Sequence, residues 1–401
     1  MKRIASRLGL SQAASGLTSG VYTPFFGAWL AWRGLSADQI AILLSASLLL
    51  RGLTGPASGI IADARNDRRA VMLVLYWIML IGYGALNFTA TPLLIFLAAI
   101  PATVAFGSAN PLLESVSVRL SERYGFNYGR VRLWASAAFV AANILGGACV
   151  WRFGIWTVAP WLGVAAILCV VTTASLPAPP PDHPRGQLLA KLRTTFGETR
   201  ELLRSGVFLI FLATASFAQG SHAFYYGYGG LHWRQLGYSG LLIGVLWPLG
   251  VFAEIALLAQ SLRVVRLIGP TRLLFLGGLA ALVRWTILAF DPPLPLVVFA
   301  QFLHGGTFAL AHLGAMYFIL RAVPPRLAAT AQSLYFVCSA GIMMGIATLA
   351  SGSIYAAYGG RAYLLMSAMG VVAMGLALLL GRRWHGARII HGAQEYHIDT
   401  I

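Results

Sequence analysis

"YTPFFGAWLAWRGLSADQIAILL" (residues 22–44) returns in altered form half a chain later as "YYGYGGLHWRQLGYSGLLIGVLW" (residues 225–247). Each stretch runs from an aromatic cluster through Trp and Arg to a Gly-x-Ser turn, and then into an apolar helix that contains Ile. Similarity between two parts of one chain at a fixed offset indicates an internal structural repeat. We therefore predict that the chain is built from two halves of similar structure.

The composition around this repeat is that of a membrane protein. Of the 401 residues, 58% are hydrophobic and 10% are charged, whereas soluble domains average about 25% charged residues. A membrane-spanning helix needs about 20 predominantly apolar residues. Stretches of this kind are found at 8–32, 38–62, 70–90, 92–118, 131–151, 154–176, 206–231, 240–262, 271–290, 294–320, 327–357 and 361–381. We predict an all-α protein with twelve transmembrane helices and no cleavable signal peptide.

The basic residues are distributed unequally between the two sides of these spans. Of the 29 Lys and Arg residues, 23 lie in the N-terminal segment, the even-numbered loops and the tail; four lie in the odd-numbered loops, and two lie inside spans. Cytoplasmic loops are the ones enriched in Lys and Arg. The pattern predicts a multi-pass protein of the inner (plasma) membrane with both termini in the cytoplasm. It also assigns the net charge of +17 to orientation and anionic lipid, not to nucleic acid.

The sixth connection is the one long loop. It opens with "PAPPPDHPRG" (177–186) and continues with "QLLAKLRTTFGETRELL" (187–203), which has the pattern of an amphipathic helix on the membrane surface. We predict an N-terminal six-helix bundle at 1–176, a cytoplasmic linker at 177–205, a C-terminal six-helix bundle at 206–383 and a cytoplasmic tail at 384–401. Parallel six-helix repeats are a transporter architecture, with the substrate site between the repeats near mid-membrane.

Arg51 interrupts the apolar run "QIAILLSASLLLRGLTGPASGIIA" (39–62). An arginine at mid-membrane costs at least about 2.5–3.5 kcal/mol on insertion scales, so it should face protein or water. Its face of the helix is small and polar and consists of Ser47, Arg51, Thr54, Gly55 and Ser58. The repeat places Glu254 at the equivalent position. Two interpretations stay open for Arg51, a residue of the substrate cavity and a structural charge that holds two helices together.

Several histidines also lie inside the spans. His222 stands in "GSHAFYYGY" with Tyr225 and Tyr226, which suits either a core residue or a ligand surface. His304 and His312 are eight residues apart on the tenth span, or about 12 Å along a helix. This separation is too great for one metal ion, so we predict no metal site. The two rings could line one wall of a cavity, and histidine carries protons near neutral pH.

The remaining charges near the membrane interior need partners. Arg284 lies within the ninth span, and Glu114 and Arg132 lie where the fourth and fifth spans end and begin. The last two form either an ion pair that joins two helices or part of a functional site.

The source of energy is not a nucleotide. The only lysines are Lys2 and Lys191, so the chain lacks the Gly-rich loop ending in Gly-Lys that binds nucleotide phosphates. The cysteines lie far apart in apolar runs, without disulfide or zinc spacing: Cys149, Cys169 and Cys338. We expect no cofactor, and coupling to an ion gradient.

"GPASGIIADARNDRR" (55–69) resembles the loop signature of the major facilitator superfamily, in which this loop gates the change between inward-open and outward-open states. The matching residues are Gly59, Asp63, Arg68 and Arg69. Asn66 replaces the usual glycine, and Asp67 is an additional acid. The resemblance implies the twelve-helix facilitator fold and a gating role for the four matching residues.

Within the superfamily, the chain is similar to the 3-phenylpropionate transporter group, which is related to the lactose permease-like proton symporters. The similarity rests on "TPFFGAWLAWRGLS", "RGLTGP", "YGRVRLWASAAF", "SHAFYYGY", "LWPLGVFAEI" and "LHGGTFALAH", in this order along nearly the whole chain. Arg51 belongs to the phenylpropionate-type pattern. This resemblance implies an anionic substrate.

The similarity to lactose permease can be carried to individual residues. Glu114 and Arg132 match its sugar-binding pair, Glu254 its acid on the eighth span, Arg284 its arginine on the ninth and His304 its histidine on the tenth. Where the permease has its proton-carrying acid, this chain has Thr307. The departure implies that either the proton mechanism or the substrate differs from those of the permease.

We therefore predict a monomeric secondary transporter, not an enzyme, that moves an aromatic or other small carboxylic acid with a proton. Arg51 would attract the carboxylate, and Glu254 with His304 would carry the proton. The remaining substrate contacts would come from Tyr22, His222, Tyr225, Tyr226 and His312. Alternatives are a sugar or nucleoside proton symporter, an intramembrane enzyme that uses one of the histidines as a base, and a membrane sensor that transports nothing.

Overall fold

The computed structural model describes residues 2–177 and 188–390, and all regular secondary structure in these residues is helical. The N-terminal half consists of α1 (Lys2–Trp32), α2 (Ala37–Arg65), α3 (Arg68–Ala85), α4 (Pro92–Tyr124), α5 (Tyr128–Phe153) and α6 (Val158–Ala174). The predicted Pro-rich opening of the linker and the predicted tail fall largely on 178–187 and 391–401, outside the described residues. The amphipathic linker helix is α7 (Leu188–Leu203).

The C-terminal half consists of α8 (Gly206–Gly220), α9 (Ala223–Gln235), α10 (Gly240–Leu258), α11 (Ser261–Ile268), α12 (Pro270–Leu288), α13 (Leu294–Phe302), α14 (Ala311–Ala322), α15 (Ala328–Phe336), α16 (Met344–Tyr358) and α17 (Tyr363–Arg383). Two spans contain π-helical segments: Gly305–Leu310 joins α13 to α14, and Val337–Met343 joins α15 to α16. Helices α8 and α9 form one span. The predicted eighth span, 240–262, ends at Leu258, and the short helix α11 follows it.

Ten helical stretches of the described residues are long and apolar enough to cross a membrane. The longest, Pro325–Arg383, is divided into two spans by the 3₁₀ turn Gly359–Ala362. Helix α1 has 31 residues, but it is less apolar because polar side chains lie buried along it, namely Ser11, Gln12, Ser15 and Thr18. Counted in this way, the described residues form twelve helices of membrane length. The all-α prediction is confirmed.

The two turns that begin α2 and α10 have the same geometry. Gly34 and Gly237 both have φ of 87°, a left-handed conformation that glycine adopts without steric cost. Ser36 and Ser239 then cap the two helices, and each hydroxyl accepts a hydrogen bond of 3.2 Å from the backbone N–H three residues further on. The repeat seen in the sequence is therefore also a repeat in the backbone.

The halves approach each other most closely on one face of the molecule, which we call the odd-loop face because it carries loops 33–36, 154–157, 236–239 and 359–362. There a Cβ on Gly27 would overlap the carbonyl oxygen of Gly227, and one on Gly230 would overlap the carbonyl oxygen of Pro24. Such contacts allow helices to pack backbone against backbone. The Tyr228 hydroxyl also donates to a carbonyl at the start of α2, at 2.7 Å. These contacts close the odd-loop face.

Candidate functional site

A cavity of about 500 Å³ lies between the two halves, within the size range of sites for small organic ligands. The N-terminal half contributes mainly polar groups to its wall, among them Ser19, Tyr22, Ser47, Arg51, Thr103 and Asn110. The C-terminal half contributes aromatic and titratable groups, among them Tyr225, Tyr226, Trp247, Glu254, His304 and His312. The predicted substrate and proton residues are thus brought together on this wall, with one exception.

The exception is His222, which is fully buried and is not among the residues that line the cavity. Its Nδ1 lies 3.0 Å from the carbonyl oxygen of Gln219, and its Nε2 lies 3.0 Å from Oγ1 of Thr307. The ring is packed against Tyr226, with 5.6 Å between ring centres. The prediction that His222 touches the substrate does not fit this position, because the side chain turns inward between the helices of the C-terminal half.

The Arg51 side chain passes from α2 to the other half of the molecule. Its Nη2 donates to the carbonyl oxygen of Ala340 at 3.1 Å, and Ala340 belongs to the π-helical segment of the eleventh span. Among the described residues no carboxylate forms an ion pair with this guanidinium. An arginine has five N–H donors, and this single hydrogen bond uses one of them. Arg51 therefore presents a cation with unused donors to the cavity.

Arg284 on α12 is fully buried and is held by neutral groups. Its Nη1 lies 2.9 Å from His304 Nδ1 and 3.2 Å from Thr307 Oγ1, and its Nη2 donates to Gln301 Oε1 at 3.2 Å. Two aromatic rings have their centres 4.8 and 4.3 Å from the guanidinium carbon, those of Tyr225 and Trp285. This buried cation is thus held by one imidazole, one hydroxyl, one side-chain amide and two aromatic faces.

The contact with Arg284 determines which nitrogen of His304 carries the proton. A guanidinium only donates, so His304 Nδ1 must accept, and the proton of the neutral ring is on Nε2. This nitrogen lies 3.8 Å from Oε2 of Glu254. The Glu254 side chain is 23% exposed and lines the cavity. Residues that the sequence places 50 apart therefore form one acid–imidazole unit.

The same reasoning fixes the proton on His222. Its Nδ1 faces a carbonyl oxygen, which can only accept, so Nδ1 carries the proton and Nε2 accepts from the Thr307 hydroxyl. Thr307 in turn accepts from Arg284. At the position where the permease-type pattern has an acid, this chain thus has a hydroxyl that relays a hydrogen bond between two buried side chains.

Glu114 and Arg132 lie 2.8 Å apart, Oε1 to Nε. Glu114 also accepts from the Tyr128 hydroxyl at 2.6 Å and faces the side-chain amide of Gln12 at 3.5 Å. The side chains are 38% and 46% exposed, and neither belongs to the residues that line the cavity. The ion pair is present, but it lies outside the cavity wall.

Trp247 is a cavity residue that the sequence reasoning missed. Its ring stacks on Tyr225 with centres 4.3 Å apart and faces Tyr226 at 6.1 Å. Its indole N–H is buried and has no hydrogen-bond partner in the described part of the chain. Trp247 stands seven residues before Glu254, which places both on one helix face. This spacing was the signal that could have found it.

The two residues that depart from the superfamily signature, in the loop between α2 and α3, both have a structural role there. Asn66 replaces the usual glycine at φ 52°, in the left-handed region, which asparagine tolerates better than most residues. The additional acid, Asp67, caps α3 by accepting from a backbone N–H at 2.9 Å.

Three of the four signature residues make polar contacts at this loop, and the fourth, Gly59, is an open position. Arg68 forms an ion pair with Asp63 across the loop, and Arg69 donates to the Ala174 carbonyl at the end of α6. At Gly59 a Cβ would meet no atom within 4 Å.

Comparison with known proteins gives one family and a consistent set of relatives. Residues 17–365 match the MFS_1 like family. A probable 3-phenylpropionic acid transporter of Escherichia coli (strain K12) is 30% identical over 360 residues, which cover 88% of this chain and 92% of the relative. The maltose permease of Geobacillus stearothermophilus is 28% identical over 352 residues, 87% of each chain.

Solved structures show the same fold. The crystal structure of the nucleoside transporter NupG superposes with a TM-score of 0.77 at 17% identity, over 94% of this chain and 98% of that one. A D-xylose-proton symporter gives a TM-score of 0.67 at 16% identity, over 96% and 97%. At these identities the similarity shows the fold alone.

Proposed function

The chain belongs to the MFS_1 like family, whose fold is that of the major facilitator transporters and not of an enzyme, and from this premise we propose that it carries a small, preferably aromatic, carboxylic acid across the membrane together with a proton. The multi-pass membrane architecture follows from the apolar helices and the relatives. The substrate, the proton and the direction of the chain in the membrane are parts of the proposal.

Arg51 is the observation that carries the proposal. A buried cation is costly unless it is paired, and the structure gives this one a single backbone acceptor. A carboxylate is the ligand whose geometry fits a guanidinium, because two parallel N–H···O bonds can form. The relative that is a probable 3-phenylpropionic acid transporter supports the same class of substrate.

The aromatic wall suits the rest of such a molecule. The Trp247 ring makes interplanar angles of 24° and 26° with Tyr225 and Tyr226, and the two tyrosine rings are tilted by 49° to each other. Aromatic groups gain about 0.5–1.5 kcal/mol from stacked or edge contacts beyond the area that they bury. Tyr22 from the N-terminal half and His312 from the C-terminal half also line the cavity, so every predicted substrate contact except His222 lies on its wall.

Glu254 accounts for the proton. It is the acid on the cavity wall, so in its ionised form it repels an anionic substrate in the same cavity. Protonation of Glu254 removes this repulsion, and proton and substrate then bind together. The protonated Nε2 of His304 faces the carboxylate at 3.8 Å, and we propose that it donates to Glu254 directly when the two side chains come closer.

Alternating access would be a rocking of residues 1–176 against 206–383, with gating by the loop that contains Asp63 and Arg68. The contacts on the odd-loop face would open and close in this motion. We place both termini in the cytoplasm, the protein in the inner membrane and the functional unit as a monomer.

The test is ligand binding to the purified protein with a neutral isostere. We expect 3-phenylpropionate to bind and 3-phenylpropanamide, which lacks the charge, to bind at least about 30-fold more weakly; at about 1.4 kcal/mol per tenfold, this equals about 2 kcal/mol. Arg51→Gln should reduce the affinity for the acid by a similar factor and leave that for the amide unchanged. Equal binding of acid and amide by the unmodified protein would refute recognition of an anion.

A sugar or nucleoside symporter is the second candidate, supported by the maltose permease relative. The Glu114–Arg132 pair matches a sugar-binding pair by resemblance, but it lies outside the cavity wall. Maltose and uridine belong in the same binding series. If one of them binds while 3-phenylpropionate does not, and Glu114→Gln abolishes this binding, the second candidate replaces the first.

A further inference from the structure

We infer that the Ala340 carbonyl oxygen accepts the hydrogen bond from Arg51 that the substrate carboxylate takes when it binds. Binding of the carboxylate thereby breaks this hydrogen bond between the halves and favours opening of the odd-loop face. Gly107 positions the Arg51 side chain for this exchange. The inference rests on the proposed function in one respect, namely that the ligand of Arg51 is an anion.

The Ala340 carbonyl lies within the π-helical segment Val337–Met343. A π segment changes the register of the backbone hydrogen bonds, is rare, and is frequently found at functional sites. In this segment the Ala340 oxygen accepts from a side chain of the other half, 289 positions away in the sequence. The bond therefore links the halves directly at the wall of the cavity.

The surroundings allow the two elements to come close at this level. A Cβ built on Gly341 would lie 3.2 Å from the Cα of Gly52, the neighbour of Arg51. Further along, Gly345 packs on Leu49, and the Ser353 hydroxyl donates to Asp38 at 2.8 Å. Helix α2 and the eleventh span are thus in contact from Arg51 as far as the odd-loop face. The Arg51 bond is one end of the contact that closes this face.

Gly107 on α4 leaves the space through which Arg51 reaches the cavity. A Cβ at this position would overlap Cδ of Arg51 and would lie 3.0 Å from its Cγ. Replacement by alanine must therefore displace the arginine while its charge remains. Gly107 acts through Arg51 and is a positioning residue.

The exchange has a defined direction. The carbonyl is a neutral acceptor that takes one N–H from the guanidinium, whereas a carboxylate carries a full negative charge and can take two parallel N–H···O bonds, so the carboxylate displaces the backbone carbonyl from Arg51. The substrate is thereby bound, and the inter-half bond is lost in the same step. A ligand shifts a conformational equilibrium only through such a difference between the two states.

The experiment measures the distance across the odd-loop face. Spin labels are attached to Arg152→Cys and Arg361→Cys, one exposed position in each half, in a background without native cysteines that binds 3-phenylpropionate as the unmodified protein does. Double electron–electron resonance in lipid nanodiscs then gives the populations of short and long distances. We expect 3-phenylpropionate to raise the ratio of long to short distances about tenfold.

The variants separate the hydrogen bond from the ligand. Arg51→Gln should show the raised ratio without any ligand and should not respond to 3-phenylpropionate. Gly107→Ala should shift the ratio in the same direction without ligand. Gly375→Ala, where a Cβ on α17 would meet no atom within 4 Å, is the matched control and should behave like the parent.

The outcomes distinguish this inference from the proposed function. If Arg51→Gln loses binding of the acid but keeps the parent distances without ligand, Arg51 recognises the anion and the inter-half bond has no conformational role, so the inference is wrong. If Arg51→Gln and Gly107→Ala both shift the distances while no carboxylate binds to the parent, the inter-half bond is real and the substrate class is wrong.

Discussion

Arg51 in α2 and Arg284 in α12 both lie inside long apolar helices, and neither forms an ion pair with a carboxylate in the described ranges. Arg284 is fully buried and is surrounded by three side-chain acceptors and two aromatic rings. Arg51 has one backbone acceptor and faces the cavity. The protein thus gives both terminal nitrogens of Arg284 an acceptor and leaves only its Nε without one, whereas Arg51 has a single acceptor. The incompletely solvated cation is the one available to a ligand.

The comparison predicts the largest difference in stability. Arg284→Gln removes the donor from His304 Nδ1 and Thr307 Oγ1, whereas Gln301 Oε1 keeps the Tyr225 hydroxyl as a donor at 2.8 Å. Each unsatisfied buried group costs about 1–3 kcal/mol. We expect a loss of about 3 kcal/mol or more, measured as a lower unfolding midpoint of the detergent-solubilised protein. Arg51→Gln should cost no more than about 1 kcal/mol, the value of one net hydrogen bond. A larger loss for Arg51→Gln than for Arg284→Gln would reverse the assignment of the two roles.

The second prediction concerns Glu254, the acid that lines the same cavity as Arg51. Glu254→Gln should abolish accumulation of 3-phenylpropionate in vesicles with an imposed pH gradient, because the variant cannot release or take up the proton. With one proton per substrate, the loss is about tenfold in accumulation for each pH unit of gradient, or about 1.4 kcal/mol. Counterflow of substrate without a gradient should persist, since exchange needs no net proton movement.

The control for this prediction is His304→Gln, which keeps an N–H donor near the position of Nε2. Accumulation by Glu254→Gln at the level of the unmodified protein, together with its loss in His304→Gln, would transfer the coupling role to the histidine.

The smallest effect concerns an arginine with an ordinary partner. Arg326 forms an ion pair with Glu201 of the linker helix α7, with one contact of 2.9 Å, and the hydrogen bond from Arg326 lowers the pKa of Glu201. A lowered pKa means that the stabilisation is present above the pKa of the unfolded chain and is lost as the pH falls through the folded value. Because the pair is exposed, Glu201→Gln should lower the unfolding midpoint by only about 1 °C at pH 7.

The pH profile checks this assignment. The difference between the unmodified protein and Glu201→Gln should vanish below the pKa of Glu201, where both side chains are neutral. A difference that stays constant from neutral to strongly acid pH would show that the ion pair is not its source.

The sequence predicted the helices and the charged and histidine side chains of the cavity wall for a simple physical reason. Apolar runs of membrane length identify spans, and polar residues within them must face the interior. This logic found Arg51, Glu254 and His304 without any knowledge of the contacts. It also located the turns at Gly34 and Gly237, because a repeated motif repeats its backbone.

The features that the sequence did not predict depend on contacts between distant segments. The Ala340 carbonyl is a backbone group, so no residue type in the sequence identifies it as a hydrogen-bond acceptor. The π segments are changes in backbone register that leave no regular apolar period. His222 was assigned to the cavity because polar aromatic neighbours suggested a ligand surface, whereas its hydrogen bonds to Gln219 and Thr307 hold it in the interior. The room for Arg51 beside Gly107 could be recognised only from the packing of α2 on α4.

The glycine contacts between α1 and α9 carry one more consequence. Under the offset of the repeat, Gly27 is equivalent to Gly230, and Pro24 is equivalent to Gly227. The contact of Gly27 with the Gly227 carbonyl and that of Gly230 with the Pro24 carbonyl are therefore the same contact made twice around a local two-fold axis. This is the isologous arrangement of a homodimer. Across this part of the odd-loop face the two halves of the chain pack like the subunits of a homodimer, each through the same self-complementary patch. The cavity beneath is asymmetric, because one half contributes a cation to its wall and the other half contributes an acid.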